Sequence, residues 1–286
     1  MKKIIALAVA GAFAAPAMVM AADVNLSGSV EASYNDTNGT TVTATDTIFT
    51  ISASTETATG ISVSGDINIA SDNDGVAGDG SNSLTLSGPF GSIDAGDTSS
   101  AADKYDDRND YAKLNGVATD AGDAAIGWTL PTMVEGLSVY VSHATDTNAD
   151  SEAMKHTGVA LQYAAGPVSL AVAKNEEEAA ESNVSYAGLT VTFQGLAVSI
   201  ESMEDEAGGT STKVDEDIIG AKYSMGDVTL FAANSESKTG GTKSAEVSSY
   251  GLHYNMGGGV TFFVEASQDD LNDAADKTGA GIVMAF

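Results

Sequence analysis

From Val24 onward the chain alternates. In VNLSGSVEASY, Val24, Leu26, Gly28, Val30, Ala32 and Tyr34 share one face, while Asn25, Ser27, Ser29, Glu31 and Ser33 share the other. Such a period of two marks a strand with one apolar and one polar side. Phe49, Ile51 and Ala53 continue it against Thr50, Ser52, Ser54 and Glu56, and Ile61 to Ile69 repeat it against Ser62, Ser64, Asp66 and Asn68. Leu84 and Leu86 mark a fourth strand, and Ile93 with Ala95 a short fifth. The rhythm resumes at Ala124, Ile126 and Trp128. Later strands start near Leu137, Thr157, Val168, Asn183, Leu196, Asp217, Val228, Ser248, Val260 and Thr278. The pattern predicts sixteen strands, or fourteen if Ile93–Asp97 fails to pair.

The connections alternate in kind. Ala58-Thr59-Gly60, Gly88-Pro89-Phe90-Gly91, Gly166-Pro167, Gln194-Gly195, Gly226-Asp227 and Gly257-Gly258-Gly259 are tight. Ser71–Gly80, Asp146–Glu152, Glu176–Ser182, Glu204–Thr212, Ser235–Thr242 and Asp269–Lys277 are longer and polar. Short turns on one rim and longer loops on the other describe an all-β, closed antiparallel transmembrane barrel. Aromatics repeat once per hairpin at Trp128, Tyr163, Phe193, Tyr223, Tyr254 and Phe286, spaced 35, 30, 30, 31 and 32 residues apart. Each but the last precedes a tight turn and shares the apolar parity of its strand, as an interfacial girdle requires. A soluble sandwich is the competing architecture. Its core would be thin here, because the apolar face is rich in Ala, Val and Gly, whereas lipid tails fill any shape.

The alternation stops once, from Ser99 to Asp123. There Asp103, Asp106, Asp107, Asp110, Asp120 and Asp123 are interleaved with Lys104, Arg108 and Lys113. A structureless loop of about 25 residues inside a regular β-protein is improbable unless it has a task. The expectation is that this third long loop folds into the barrel mouth and narrows a water-filled channel.

Composition sharpens the picture at the chain start. Lys2 and Lys3, an apolar run from Ile4 to Met20 broken by Gly11 and Pro16, and small residues before Ala22 describe a secretory signal peptide over residues 1–21. The barrel domain then spans 22–286. Without Lys2 and Lys3 the formal charge goes from −28 to −30, which argues against nucleic-acid binding. The absence of cysteine removes disulfides, thiol nucleophiles and zinc–thiolate sites. His143, His156 and His253 lie far apart and no G-x-S-x-G occurs, so an enzyme is not expected.

Signal peptide, alternating strands, FGSIDAGDTSSA leading into an acidic loop, SYGLHYNMGGGVTFFVEAS and a terminal Phe286 resemble the general bacterial porins, above all the smaller alphaproteobacterial forms. The resemblance implies a passive channel for ions and small hydrophilic solutes in the outer membrane of a Gram-negative bacterium. It further implies a homotrimer, outer-membrane lipid as neighbour, and barrel-assembly machinery reading Phe286. By the same resemblance the constriction set is Asp97, Asp103, Lys104, Asp106, Asp107, Arg108, Asp110 and Lys113.

The family pattern sets an acidic loop against a basic wall, and here the sequence departs from it. Arg108 is the one arginine, and it lies in the loop itself. Inward-phase basic positions are Lys222 and His253, against Glu31, Glu56, Asp66, Asp94, Glu201 and Glu265. Two carboxylates about 5 Å apart at an effective dielectric near 20 repel by roughly 3 kcal/mol, and a cation between them relieves this. A cation-preferring passage is therefore expected. No cofactor is expected, although a divalent cation among loop carboxylates is weighed. Asp72, Asp74 and Asp79 fit no standard calcium spacing. A solute-specific channel and a secreted acidic β-rich adhesin or surface-layer protein are the alternative readings.

Overall fold

Alternation obliges each strand to segregate its two faces, and every backbone amide in lipid must find a partner. The chain meets both demands by closing on itself. The computed structural model describes residues 23–71, 81–113, 123–144, 156–177, 183–206, 213–271 and 276–286. The signal-peptide reading and the acidic run 72–80 lie outside these residues.

The first five strands are β1 (Asp23–Thr37), β2 (Thr40–Glu56), β3 (Ser62–Ser71), β4 (Asn82–Gly88) and β5 (Gly91–Ser99). Next come β6 (Asp123–Thr129), β7 (Leu137–His143), β8 (His156–Ala165), β9 (Val168–Glu177), β10 (Asn183–Phe193) and β11 (Leu196–Glu206). The last are β12 (Lys213–Met225), β13 (Val228–Thr239), β14 (Thr242–Gly257), β15 (Val260–Asp269) and β16 (Lys277–Ala285). Each pairs antiparallel with its sequence neighbour, and β1 pairs with β16 from Ser29↔Ala285 to Thr37↔Lys277 to close the barrel. Sixteen strands form, because β5 pairs with both β4 and β6.

Two connections on the long-loop rim are tight, one of them against expectation. Ser235–Thr242 is not a loop: β13 and β14 run on to a Gly240-Gly241 turn with both φ values positive (58° and 79°). Likewise β2 begins at Thr40, after an Asn38-Gly39 turn at φ 48° and 81°. Paired positive φ values are what a two-residue turn between right-twisted strands needs. On the opposite rim, Trp128 is followed by a seven-residue connection from Leu130 to Gly136 rather than by a tight turn.

The faces are inverted relative to a soluble fold. Val24, Leu26, Ile67, Ile69, Leu161, Val172 and Ile219 are exposed, whereas Ser33, Ser142, Asn175, Ser199, Glu201, Ser249 and Glu265 are buried. Polar side chains of the inner face bond across strands. Thr50 Oγ1 donates to Asn68 Oδ1 (2.7 Å), Ser52 Oγ to Asp66 Oδ1 (2.5 Å) and Thr85 Oγ1 to Asp94 Oδ1 (2.7 Å). An aliphatic exterior around a hydrogen-bonded polar interior fits a hydrocarbon solvent outside and water within.

Candidate functional site: the inward loop and its wall

The loop begins at an irregularity in β5. The β5–β6 register slips between Ala95 and Thr98, and Gly96 takes φ 108°. Asp97 Oδ2 accepts the Asn82 amide at 2.7 Å, which ties the slipped segment to β4. Bulges of this kind bend a strand and re-aim its continuation. Thr98 then meets Tyr140 of β7 (3.3 Å between hydroxyls), Tyr140 donates to Ser99 O (2.7 Å), and the chain leaves the sheet inward.

Residues 100–113 lie flat along the inner wall and bond to it strand by strand. At β7 and β9, the Ala101 amide reaches Ser142 Oγ (2.8 Å), the Ala102 amide reaches Asn175 Oδ1 (3.2 Å), and Asn175 Nδ2 donates to Ser100 Oγ (2.8 Å). After a single turn of 3-10 helix at Asp103–Tyr105, Arg108 donates to Tyr186 OH (3.1 Å) and Thr190 Oγ1 (3.0 Å) of β10. Asn109 Nδ2 donates to Glu201 Oε1 of β11 at 2.6 Å, and Tyr111 OH to Ser199 Oγ at 3.4 Å. Burial holds the Tyr111 phenol above its ordinary range, so it stays a neutral hydroxyl. The Lys113 amide ends the described run on both oxygens of Glu265 in β15 (2.8 Å each). His253 Nε2 stands 2.6 Å from the same carboxylate.

This arrangement sorts the expected residues into three groups. Asp107, Asp110 and Lys113 are exposed, and Asp103 and Lys104 partly so, with Lys104 Nζ 4.9 Å above the Tyr140 ring. Asp106 is fully buried between loop and wall, Arg108 is committed to the wall, and Asp97 is exposed at the β4 edge. Among the wall residues, Glu201 and Glu265 are buried as acceptors for the loop rather than open to the passage. Lys222 Nζ lies 5.0 Å over the Tyr111 ring. Glu31, Asp66 and Asp94 keep partial exposure on β1, β3 and β5.

The loop's anchors are thus Tyr140, Ser142, Asn175, Tyr186, Ser199, Glu201 and Glu265, most of which look in sequence like ordinary inward polar positions. A second feature was legible. Residues 23–103 contain no Lys, Arg or His, and the first basic residue beyond Lys3 is Lys104. In the closed strand order β9 stands eight strands from β1. Hence the loop and its wall carry Lys104, Arg108, Lys113, Lys222 and His253, while the far wall carries only carboxylates. Among the described residues, no group of three or more His, Asp or Glu side chains is arranged to hold a metal ion.

The outer face bears all six periodic aromatics, each at least 39% exposed. Tyr163, Phe193 and Tyr223 sit within four residues of the short-turn ends of their strands, and Trp128 Nε1 donates to Phe90 O (2.9 Å) at the β4–β5 turn.

A sixteen-strand antiparallel barrel with an aliphatic exterior, a polar lumen and an inward-folded loop defines an outer-membrane channel. The profile of the Gram-negative porin family matches residues 6–274, and the chain belongs to that family. The protein lies in the outer membrane, and its family is one of channels rather than enzymes. Its fold is similar to a loop-deletion mutant of OmpT, an outer membrane protein of Vibrio cholerae (TM-score 0.74, 13% identity, 93% of this chain and 100% of that one). It is also similar to a triple mutant of the Rh. blastica porin (TM-score 0.71, 18% identity, 92% and 100%). In-vitro folded OmpT in its trimer form aligns with a TM-score of 0.72 at 13% identity, over 93% and 100% of the two chains. No curated protein matches the sequence at a significant level.

Proposed function

We propose that this porin is a general diffusion channel that prefers cations, with residues 100–113 as its narrowing element. One observation carries the preference: the sequence that builds β1–β5 has carboxylates and no cationic side chain. Glu31 and Asp46 are directly opposed in the β1–β2 register, and Glu56, Asp66 and Asp94 belong to the same wall. Like charges directly opposite destabilise each other, and a passing cation relieves the repulsion. Lys104, Lys113 and Lys222 stand on the loop side, so the passage has a negative wall and a mixed one.

The girdle aromatics mark the lipid interface on the short-turn rim, and Phe286 is the signal to assembly machinery. The fold shared with trimeric OmpT supports a homotrimer. Reversal potentials of the purified protein in a planar bilayer under a KCl gradient test the preference. A potential of cation sign is expected, shrinking as salt rises because mobile ions screen fixed charge. Anion preference at low salt would overturn the reading.

A further inference from the structure

Every even strand from β6 to β16 has a lumen-facing glycine in a series spaced 30 to 32 residues apart: Gly127, Gly158, Gly188, Gly220, Gly251 and Gly281, with Gly279 a second on β16. Their register partners are lumen residues, among them Ser142, Glu201, Ser199, Glu265 and Ser33. None of the six has a positive φ. Backbone freedom therefore does not explain them, and space must.

The space is filled in two ways. At Gly127, Gly251 and Gly281 a Cβ would strike Tyr140, Phe231 and Phe263, aromatic rings from the neighbouring odd strand. At Gly220 it would strike the loop directly, and at Gly158 and Gly188 both the loop and the wall side chain that anchors it. A Cβ on Gly158 would overlap Asn175 Oδ1, the wall acceptor of the Ala102 amide, and stand 2.6 Å from Ala101 Cβ; one on Gly188 would overlap Tyr186 OH, the wall partner of Arg108, and stand 2.6 Å from Arg108 Nε and 2.7 Å from its Cδ. A Cβ on Gly220 would overlap Asn109 Oδ1 and stand 3.0 Å from its Cγ, with the Tyr111 ring edge at 3.1 Å.

We propose that Gly158, Gly188 and Gly220 are positioning residues that set the bore of the channel by fixing how deeply the loop sits against its wall. The proposal rests on the reading of that loop as the narrowing element. Interiors are close-packed, so a buried methyl group moves its neighbours instead of vanishing among them. Behind the loop stands a hydrogen-bonded sheet, and Asn109 is held against rotation by its bond to Glu201, so the loop yields toward the channel axis.

Single-channel conductance of Gly220→Ala tests this. The expected result is a fall of about 1.5-fold, the order that follows when a bore a few ångströms wide loses about 1 Å. Gly65→Ala, whose Cβ would make only ordinary contacts (Ser83 O at 3.4 Å, Leu84 Cδ1 at 3.7 Å), should conduct like wild type. In an Asn109→Ala background, which removes the group the new methyl strikes, Gly220→Ala should change conductance no further. Wild-type conductance in Gly220→Ala, or an equal fall with and without Asn109, overturns the proposal. If Gly220→Ala fails to assemble alone, assembly in the Asn109→Ala background supports the seat, and failure there too refutes it by placing the fault in the strand. A chain with residues 102–113 replaced by a short Gly-Ser link separates the two readings. Unchanged conductance in that chain refutes the narrowing role, whereas a rise alongside a silent Gly220→Ala refutes only the glycine seat.

Discussion

The Phe286 ring lies over Gly28 across the closing seam of the barrel. The two residues exchange both backbone hydrogen bonds at 3.0 Å, and a Cβ on Gly28 would stand 3.0 Å from Phe286 Cζ and 2.5 Å from Ile48 O. The last residue of the chain thus covers the one gap in the apolar face of β1. Gly28→Val should destabilise the barrel by about 1–3 kcal/mol, the usual cost of overpacking. A lowered midpoint for loss of the folded, heat-modifiable band would report it, with Ser27→Val at the neighbouring inward position as the comparison.

Glu201 holds the loop through two buried groups, accepting from Asn109 Nδ2 (2.6 Å) and lying 2.8 Å from Tyr186 OH. Removing the carboxylate leaves the Asn109 amide without its acceptor, at about 1–3 kcal/mol for the unsatisfied group, while Tyr186 OH keeps Tyr105 O at 2.7 Å. Glu201→Ala should free the loop, raise open-channel current noise, and expose the Arg108 bond to trypsin. Glu201→Gln keeps an acceptor for Asn109 and should stay closer to wild type. Equal tryptic resistance in wild type and Glu201→Ala would contradict this role.

Charge on the far wall should govern selectivity. Neutralising the opposed pair with Glu31→Gln and Asp46→Asn should lower the cation-to-anion permeability ratio about two-fold at low salt and by little at 1 M, where the screening length is about 3 Å. Lys113→Gln should shift the ratio the other way. Reversal potentials at several ionic strengths separate these outcomes, and a salt-independent shift would point to a change of shape instead.

Trp128 is the one tryptophan in the chain, is 41% exposed on the outer face, and is held to Phe90 O. Its emission should be blue-shifted in bilayers and quenched more strongly by lipids brominated near the headgroup than by those brominated at the chain ends. Quenching by aqueous iodide alone would place the ring in water and remove Trp128 from the girdle.

Much of this fold could be read along the chain because a period of two is a local property. Ile67 and Asp66 declare opposite faces whatever surrounds them, and from Trp128 to Phe286 an aromatic recurs at one-hairpin spacing on the apolar face. Strand ends were harder. Ser235–Thr242 is polar enough to look like a loop, yet Gly240-Gly241 turns so tightly that its flanks stay paired. The charges were legible in kind but not in place. Asp106 and Asp107 are neighbours of one type, and only packing buries the first and exposes the second.

By itself the sequence determined the alternation of faces along each strand, a count of sixteen or fourteen strands, the acidic composition of the first five and the presence of one long loop that breaks the alternation. All of these depend on residues within a hairpin of each other. Only the tertiary structure decided where the loop lies and which acids it consumes. The Ala101–Ser142 bond joins residues 41 apart, and the Lys113–Glu265 bond joins residues 152 apart. Such pairings are set by barrel closure and by the space that lumen glycines leave open, and no local pattern encodes that distance.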